Sequence, residues 1–417
     1  MEEKKSRKNM IGIRIGLLLG CGLLLRIILA VRFSGYYPDM IQLLIWGERL
    51  MQVGPGAFYT PEIQMPYPPG YLWIIYGLYA VLMQMPGATM EMAMLWLKVP
   101  AMFCDLAASV VLYFAAGGRK KEKMACAVAA LYMFNPAVLF NSAIWGQTES
   151  CFTLCVICMC VFLVKEKVFG AMIAFGIGLL LKQQTIVFTP VMLYGMLRFV
   201  WPPETKKKIL TLAGKGCVVI SVMVLICLPF HIDKSIDYYF NTLEVFNGAS
   251  MNAFNFWALV GRNQVEQSAG WLFGIPAELW GKCFRVLVVL IGAIYVRIRW
   301  NGKVNAATLG ALMIIPYFTF GTAMHERYLY SAMAMLLLSW IQESRKSTIV
   351  LYFYFSILQL LNVWAVYAAE CGTTPASEWL LTDPQALMRG CSAAMVLGCM
   401  IFYGAVFKKD AGAKADE

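Results

Sequence analysis

Four short clusters of polar side chains interrupt the apolar segments of this 417-residue sequence. A carboxylate in such a cluster can accept the proton of a hydroxyl, and cations can hold a departing phosphate. The combination is typical of a site that moves a group away from a lipid phosphate. The clusters are centred on Asp39, on Gln147 and Glu149, on Lys182-Gln183-Gln184, and on His325-Glu326-Arg327.

Each cluster also has a simpler structural explanation. Asp39 suits a general base, but it could instead cap a helix predicted over Met40–Gln52. Lys182, Arg327 and Arg262 suit phosphate binding, although a lysine next to a span can also extend its ammonium to the membrane interface. The two remaining acidic clusters could simply begin a helix or lie at that interface.

The composition indicates a membrane protein. Sixty per cent of the residues are hydrophobic and only 14% are charged, which is unusual for a soluble domain. The formal charge of +11 comes from basic clusters between apolar stretches, which is the positive-inside pattern rather than a nucleic-acid-binding surface. We therefore expect an integral, multi-pass protein with the lipid bilayer as a partner and no nucleic-acid partner.

Twelve apolar stretches are predicted to span the membrane, with the basic clusters in the cytoplasm. They lie near residues 10–31, 93–116, 124–141, 150–164, 168–181, 185–200, 216–231, 282–299, 304–323, 328–341, 347–368 and 386–407. This topology puts both termini inside and all four polar clusters on the extracytoplasmic side. Residues 71–83 are too short to span and are placed at the outer surface or in a re-entrant segment. Several short spans indicate helices broken around a cavity.

The sequence predicts one membrane domain over residues 1–417, with long outer loops at about 32–92 and 232–281. Both loops are rich in aromatic residues, which favour the membrane interface. Most of the thirteen cysteines lie in apolar runs, where Cys packs as a small residue. A metal or redox site at Cys155 and Cys158 is therefore disfavoured.

The polar clusters belong to a longer series of motifs that resembles the GT-C superfamily of membrane glycosyltransferases. Within it, the series is most similar to bacterial relatives of the GPI-anchor second-mannose transferase, and less so to dolichol-linked-oligosaccharide glucosyltransferases. The resemblance covers about residues 10–345. The motifs are Tyr67-Pro68-Pro69-Gly70, Asn135-Pro136, Trp145-Gly146-Gln147-Thr148-Glu149-Ser150, Lys182-Gln183-Gln184, Asn252-Ala253-Phe254-Asn255-Phe256-Trp257 and His325-Glu326-Arg327-Tyr328-Leu329.

The resemblance implies an all-α, GT-C-type bundle of about twelve transmembrane helices with outer juxtamembrane helices. It also implies an inverting hexosyltransferase in which Asp39 is the catalytic base, although many relatives have Asp where Glu149 stands. The donor would be a polyprenyl-phosphate sugar, mannose by family name alone, and the acceptor a lipid- or polymer-linked glycan. A bacterial enzyme of this kind lies in the plasma membrane. The substrate-binding residues would be Tyr67, Gln147, Glu149, Lys182, Gln183, Asn255, Arg262, His325, Glu326 and Arg327.

Some relatives use a divalent cation near the first-loop acid, but the sequence has no spaced metal-ligand motif, so no metal ligand is assigned. Two other classes fit the same topology. One is a lipid or polysaccharide transporter or flippase, which would commonly show related halves and interrupted helices near the membrane midplane. The other is a polymerase or ligase of surface polysaccharide.

Overall fold

The computed structural model describes residues 2–60, 63, 67–201, 205–245, 247–301, 304–371 and 383–408. Nearly all of the regular structure in these ranges is helical, as a chain in a bilayer requires, because a helix satisfies its own backbone hydrogen bonds. The helices are α1 Glu2–Arg32, α2 Tyr37–Val53, α3 Pro69–Leu82, α4 Met90–Ala115, α5 Glu122–Met133, α6 Pro136–Leu139, α7 Glu149–Val164, α8 Val168–Leu181, α9 Thr189–Val200, α10 Thr205–Cys227, α11 Ile232–Val245, α12 Phe256–Leu259, α13 Ala277–Arg299, α14 Ala306–Phe320, α15 Tyr330–Glu343, α16 Lys346–Cys371 and α17 Pro384–Phe407.

Among the described residues, six helices are long and apolar enough to cross a membrane, namely α1, α4, α10, α13, α16 and α17. A seventh crossing is formed if the pair Gly118–Met133 and Pro136–Trp145, bent by 47°, counts as one span. The prediction of an all-α, multi-span membrane protein is confirmed. All twelve predicted stretches fall on helices, but the remaining ones are shorter than the roughly 20 residues that a full span needs.

The short helices lie inside the bundle, and several long ones lie at its edge. Thirteen of the fifteen residues of α14 and the first ten of the fourteen residues of α15 are buried by protein. In contrast, the most apolar stretch of α10 has no buried residue, and only 22% of the most apolar stretch of α13 is buried. A short apolar helix surrounded by protein need not match the bilayer thickness, which explains why these segments have the composition of a span without its length.

Residues 71–83, predicted at the outer surface or in a re-entrant segment, form most of α3, which packs against α2, α4 and α8. The cytoplasmic placement of residues 409–417 and 302–303 lies outside the described residues, as do parts of both long outer loops at 61–62, 64–66 and 246.

Breaks in the helices bring the four polar clusters to one end of the bundle. A π-helical turn, Phe140–Trp145, ends at Gly146, whose φ is 90°. A Cβ on Gly146 would lie 2.4 Å from the sulfur of Met40 in α2, so glycine allows the turn to reach that helix. A 3-10 segment, Gln183–Phe188, separates α8 from α9, and residues 321–329 separate α14 from α15.

The second outer loop is attached to the last of these breaks. Strand β1, Ser250–Met251, pairs in parallel with strand β2, Met324–His325. The Asn255 side chain accepts from the amides of Trp257 and Ala258 at the start of α12, and its amide group donates to the carbonyls of Phe318 and Gly321. The loop therefore holds the residues between α14 and α15 in place.

Candidate functional site

A cavity of about 460 Å³ opens where the three helix breaks meet α2 and α13. It is enclosed by α2, by the turn before α7, by the 3-10 segment before α9, by the N-terminal part of α13 and by residues 322–328. The residues that line it include Asp39, Trp46, Tyr67, Gln147, Lys182, Gln183, Gln184, Lys282, Arg285, Thr322 and Arg327. Residues from all four sequence clusters therefore share one pocket.

Asp39 lies in the first turn of α2, and its side chain makes no helix cap, since the N-cap position is Tyr36. Its Oδ2 instead accepts hydrogen bonds from Trp145 Nε1 at 2.7 Å and from Gln147 Nε2 at 2.5 Å. A guanidinium nitrogen of Arg327 lies 3.8 Å from the same oxygen. These three donors join α2 to the turn before α7 and to the segment before α15.

Glu149 is fully buried at the start of α7 and connects the two cations of the site. Its Oε1 lies 2.5 Å from Lys182 Nζ and 3.4 Å from Arg327 Nε, while Asn141 Nδ2 donates to Oε2 at 3.1 Å. Lys182 also donates to Thr148 Oγ1 at 3.3 Å. Lys182 and Arg327, two of the three cations predicted to bind phosphate, are thus already paired with a carboxylate.

The segment before α15 adds a second carboxylate to Arg327. Glu326 Oε1 lies 2.6 Å from the Arg327 guanidinium, and Glu326 Oε2 lies 3.9 Å from His325 Nδ1. Burial raises the pKa of Glu326, and Arg327 partly opposes that shift. Burial, with the nearby Arg327 and Lys182 charges, lowers the pKa of His325 well below its usual value, so its imidazole is neutral at pH 7.

We call these six ionisable groups the acid–base network: Asp39, Glu149, Lys182, His325, Glu326 and Arg327. It contains three carboxylates and two cations, so its positive charges are compensated from within. Aromatic and amide groups complete its wall. Tyr67 OH donates to Gln147 Oε1 at 3.1 Å, and Lys182 Nζ lies 5.2 Å from the centre of the Tyr67 ring.

Two predicted site residues lie elsewhere. Asn255 is a buried residue of the second long loop, residues 232–281, where its hydrogen bonds are structural. Arg262 donates to the carbonyl of Gly270 within that loop. Neither lines the cavity, and three members of the acid–base network, Glu149, His325 and Glu326, are also not among its lining residues.

The sequence interpretation missed Arg285 and Lys282, which line the cavity from α13. Both were read as part of an apolar span near residues 282–299. A single arginine within such a span was the available signal, since a charge at membrane depth usually has a functional partner. The same interpretation included Trp145 in a motif but gave it no role at the site, although its indole holds Asp39.

Within the described ranges, no group of three or more His, Cys, Asp or Glu side chains is arranged to hold a metal ion. The carboxylates of the network contact indole, amide, ammonium and guanidinium groups instead. Among the described residues there is therefore no ligand set for the divalent cation that some of the resembling enzymes use.

Residues 66–252 match the model of the family described as GPI transamidase subunit PIG-U. No curated protein matches the chain. The matched range includes Tyr67, Gln147, Glu149 and Lys182, and it excludes Asp39 and the segment before α15. The match supports the resemblance to GT-C-type proteins only at the level of a related membrane-protein family, and it confirms no mannosyltransferase family.

The match overturns the predicted activity. The family is named for a subunit of a transamidase, a complex that processes proteins, and not for an enzyme that transfers a sugar from a polyprenyl phosphate. The predictions of a hexosyltransferase and of a mannosyltransferase are therefore wrong. The role of Asp39 as the base in sugar transfer depended on that activity and is not carried further.

Proposed function

We propose that this chain is the glycolipid-binding membrane subunit of a larger complex, and that the cavity holds the sugar part of a lipid headgroup. The observation that carries the proposal is the acid–base network, of which Asp39, Lys182 and Arg327 line a cavity at the end of a membrane bundle. The family match supports the choice of ligand, since the matched family is a subunit of a complex that acts on glycosylphosphatidylinositol.

The network has the chemistry to bind hydroxyl groups. Carboxylate and amide oxygens accept from a hydroxyl, and amide, ammonium and guanidinium groups donate to it. Asp39, Gln147, Lys182 and Arg327 present all of these groups to one cavity. The hydroxyl groups of a sugar can therefore donate hydrogen bonds to the carboxylate and accept them from the cations. The sugar itself needs no net charge.

The cavity also has walls that suit a sugar ring. Trp46 and Tyr67 both line it, with ring centroids 5.2 Å apart and planes tilted by 58°. Its volume of about 460 Å³ falls within the range of roughly 300–1,000 Å³ that is typical of small-ligand pockets. In this role the chain positions the lipid, and another subunit performs the reaction.

The charge distribution supports an orientation for the proposed subunit. Lys206 to Lys208 at the start of α10 are part of the basic clusters, which are expected in the cytoplasm. The cavity lies at helix ends that are separated from those clusters by a span. We therefore infer that the sugar is bound on the extracytoplasmic side and that both termini are cytoplasmic.

The proposal is tested by measuring lipid binding to the purified chain in nanodiscs by native mass spectrometry. We expect a glycosylphosphatidylinositol to bind at least about tenfold more tightly than phosphatidylinositol, which corresponds to about 1.4 kcal/mol. Gln147→Leu should remove most of this preference, because it deletes a polar group between Asp39 and Tyr67.

The matched control is Gln84→Leu, which changes an exposed glutamine after α3 that does not line the cavity. It should leave both affinities unchanged. Equal binding of the two lipids by the unaltered chain would refute the proposed function.

A further inference from the structure

Arg285 is a cation in a membrane helix with a cavity in front of it. It is the ninth residue of α13, about 12 Å along the axis from the start of that helix. Its side chain is partly buried and lines the cavity. Across the described part of the chain, no ion pair, hydrogen bond or ring contact accompanies its guanidinium. A charge at that depth is costly unless a counter-charge meets it.

Two neutral polar side chains that line the same cavity also lack a partner. Neither amide atom of Gln184 has a hydrogen-bond partner among the residues that the structure covers, although both atoms are buried. The same holds for the hydroxyl of Thr322, a residue that is only 1% exposed. Buried polar groups are almost always paired, so two orphaned groups in one pocket indicate a polar ligand.

Close packing brings α13 to Thr322. An added Cβ on Gly281, one turn before Arg285, would lie 2.6 Å from Thr322 Oγ1. Glycine at this position therefore allows the helix to approach the segment before α15, and any side chain would push the two apart. Lys282, between Gly281 and Arg285, also lines the cavity but pairs with Glu278.

The charges of the cavity are separated into two parts. On one side, Asp39, Lys182 and Arg327 line the cavity, and Glu149 and Glu326 pair with the two cations from outside the lining. With its histidine neutral, the acid–base network therefore has one carboxylate more than it has cations. The α13 side has one carboxylate, Glu278, and two cations, Lys282 and Arg285. A ligand with hydroxyls at one end and an anion at the other would match this separation.

We propose that Arg285, Gln184 and Thr322 form a phosphate subsite that binds the phosphodiester of a membrane lipid. The inference rests on the proposed function, since the sugar attached to that phosphodiester would occupy the network. Guanidinium, amide and hydroxyl groups are all donors to phosphate oxygens, and Arg is the side chain best suited to hold two of them at once.

The neighbours of Arg285 favour a lipid over free phosphate. Val286 and Leu287 follow it on α13 and are 59% and 50% exposed on the edge of the bundle. One helix thus presents a cation to the cavity and an apolar face to the bilayer. A lipid can place its phosphodiester at Arg285 while its acyl chains lie along that face.

The test varies the phosphate and the sugar separately. Native mass spectrometry in nanodiscs compares a glycosylphosphatidylinositol, phosphatidylglycerol and the neutral glucosyl diacylglycerol, and inorganic phosphate is added as a competitor. We expect the unaltered chain to prefer the glycosylphosphatidylinositol over the neutral glycolipid by about tenfold or more. Arg285→Gln should abolish that preference, and it should weaken the binding of phosphatidylglycerol by a similar factor.

Two further variants test the neutral partners. Thr322→Val keeps the shape of the side chain, and Gln184→Leu removes an amide that bonds to no described residue, so neither should disturb the fold. Each should reduce the preference for phosphodiester lipids severalfold. Arg297→Gln, an exposed arginine in the last turn of the same helix, is the matched control and should change nothing.

An Arg285→Gln protein that keeps the full preference for phosphodiester lipids would overturn the inference. Displacement of the lipid by millimolar inorganic phosphate would also overturn it, because the subsite would then select a free anion. The outcome for the proposed function is separate. If the unaltered chain shows no preference for the sugar but does prefer phosphodiester lipids in a way that depends on Arg285, the sugar site is refuted and the phosphate subsite is retained.

Discussion

Removing one or the other member of the buried pair between Glu149 and Lys182 should have unequal effects on stability. The Glu149 carboxylate lies 2.5 Å from Lys182 and 3.4 Å from Arg327, and it accepts from a side-chain amide. Lys182→Met therefore leaves the carboxylate with a cation. Glu149→Gln instead leaves the Lys182 ammonium, a group only 6% exposed, beside a hydroxyl and a phenol ring.

The expected magnitudes follow from this asymmetry. Breaking a buried ion pair from one side costs about 3–5 kcal/mol when the remaining charge is uncompensated. Losing a hydrogen bond to a charge that stays compensated costs about 1.5–3 kcal/mol. Glu149→Gln should therefore lower the free energy of unfolding by more than Lys182→Met. The double variant leaves no lone charge in the pair and should be more stable than Glu149→Gln alone.

The assay is unfolding of the purified chain in mixed micelles with increasing dodecyl sulfate, followed by circular dichroism. Glu278→Gln provides the control, because its pair with Lys282 is 41% and 58% exposed and should contribute less than about 1 kcal/mol. If Lys182→Met destabilises the chain as much as Glu149→Gln does, Arg327 does not compensate Glu149 and the reasoning fails.

Three other changes have defined outcomes. Gly146→Ala should lower the unfolding free energy by more than about 1 kcal/mol in the same assay, since φ is 90° there and a methyl group would meet a neighbouring methionine sulfur. Arg26→Gln should cost about 3–5 kcal/mol, because it leaves the fully buried Asp105 carboxylate without its cation 3.2 Å away, and adding Asp105→Asn should recover part of the loss. Single cysteines at Ser268 and Lys207 in a cysteine-free background should react with an impermeant maleimide from opposite sides of the membrane; labelling of both from one side would contradict the orientation.

The helices could be predicted from the sequence because their apolar runs are long and contain few charges. The number of full spans could not. Residues 306–320 and 330–343 are as apolar as lipid-facing helices, but they are buried by neighbouring helices and need not match the membrane thickness. Composition reports that a segment avoids water, and it does not report whether lipid or protein replaces that water.

The polar clusters of the site were predictable, but their partners were not. Lys182 and Glu149 are 33 positions apart, and Arg327 lies much further along the chain from Asp39. Only the packing of α7, α8 and the segment before α15 brings them into one network. Arg285 was missed for the opposite reason, because it and Lys282 lie at the start of an apolar run and belong to no polar motif.

The predicted activity was wrong because the motif residues were interpreted as catalytic or substrate-binding groups, whereas their contacts also build the scaffold. Trp145 and Gln147 hold Asp39, and Glu149 joins the cations of two separate helix breaks. A chain that uses the cavity only to bind a headgroup needs these contacts as much as an enzyme does, since they set the shape of the cavity. Motifs of this kind can therefore persist on one membrane scaffold when the function changes, and function has to be argued from groups that the scaffold leaves unused. In this chain those groups are Arg285, Gln184 and Thr322, which is why the phosphate subsite is the sharper test of what the cavity does.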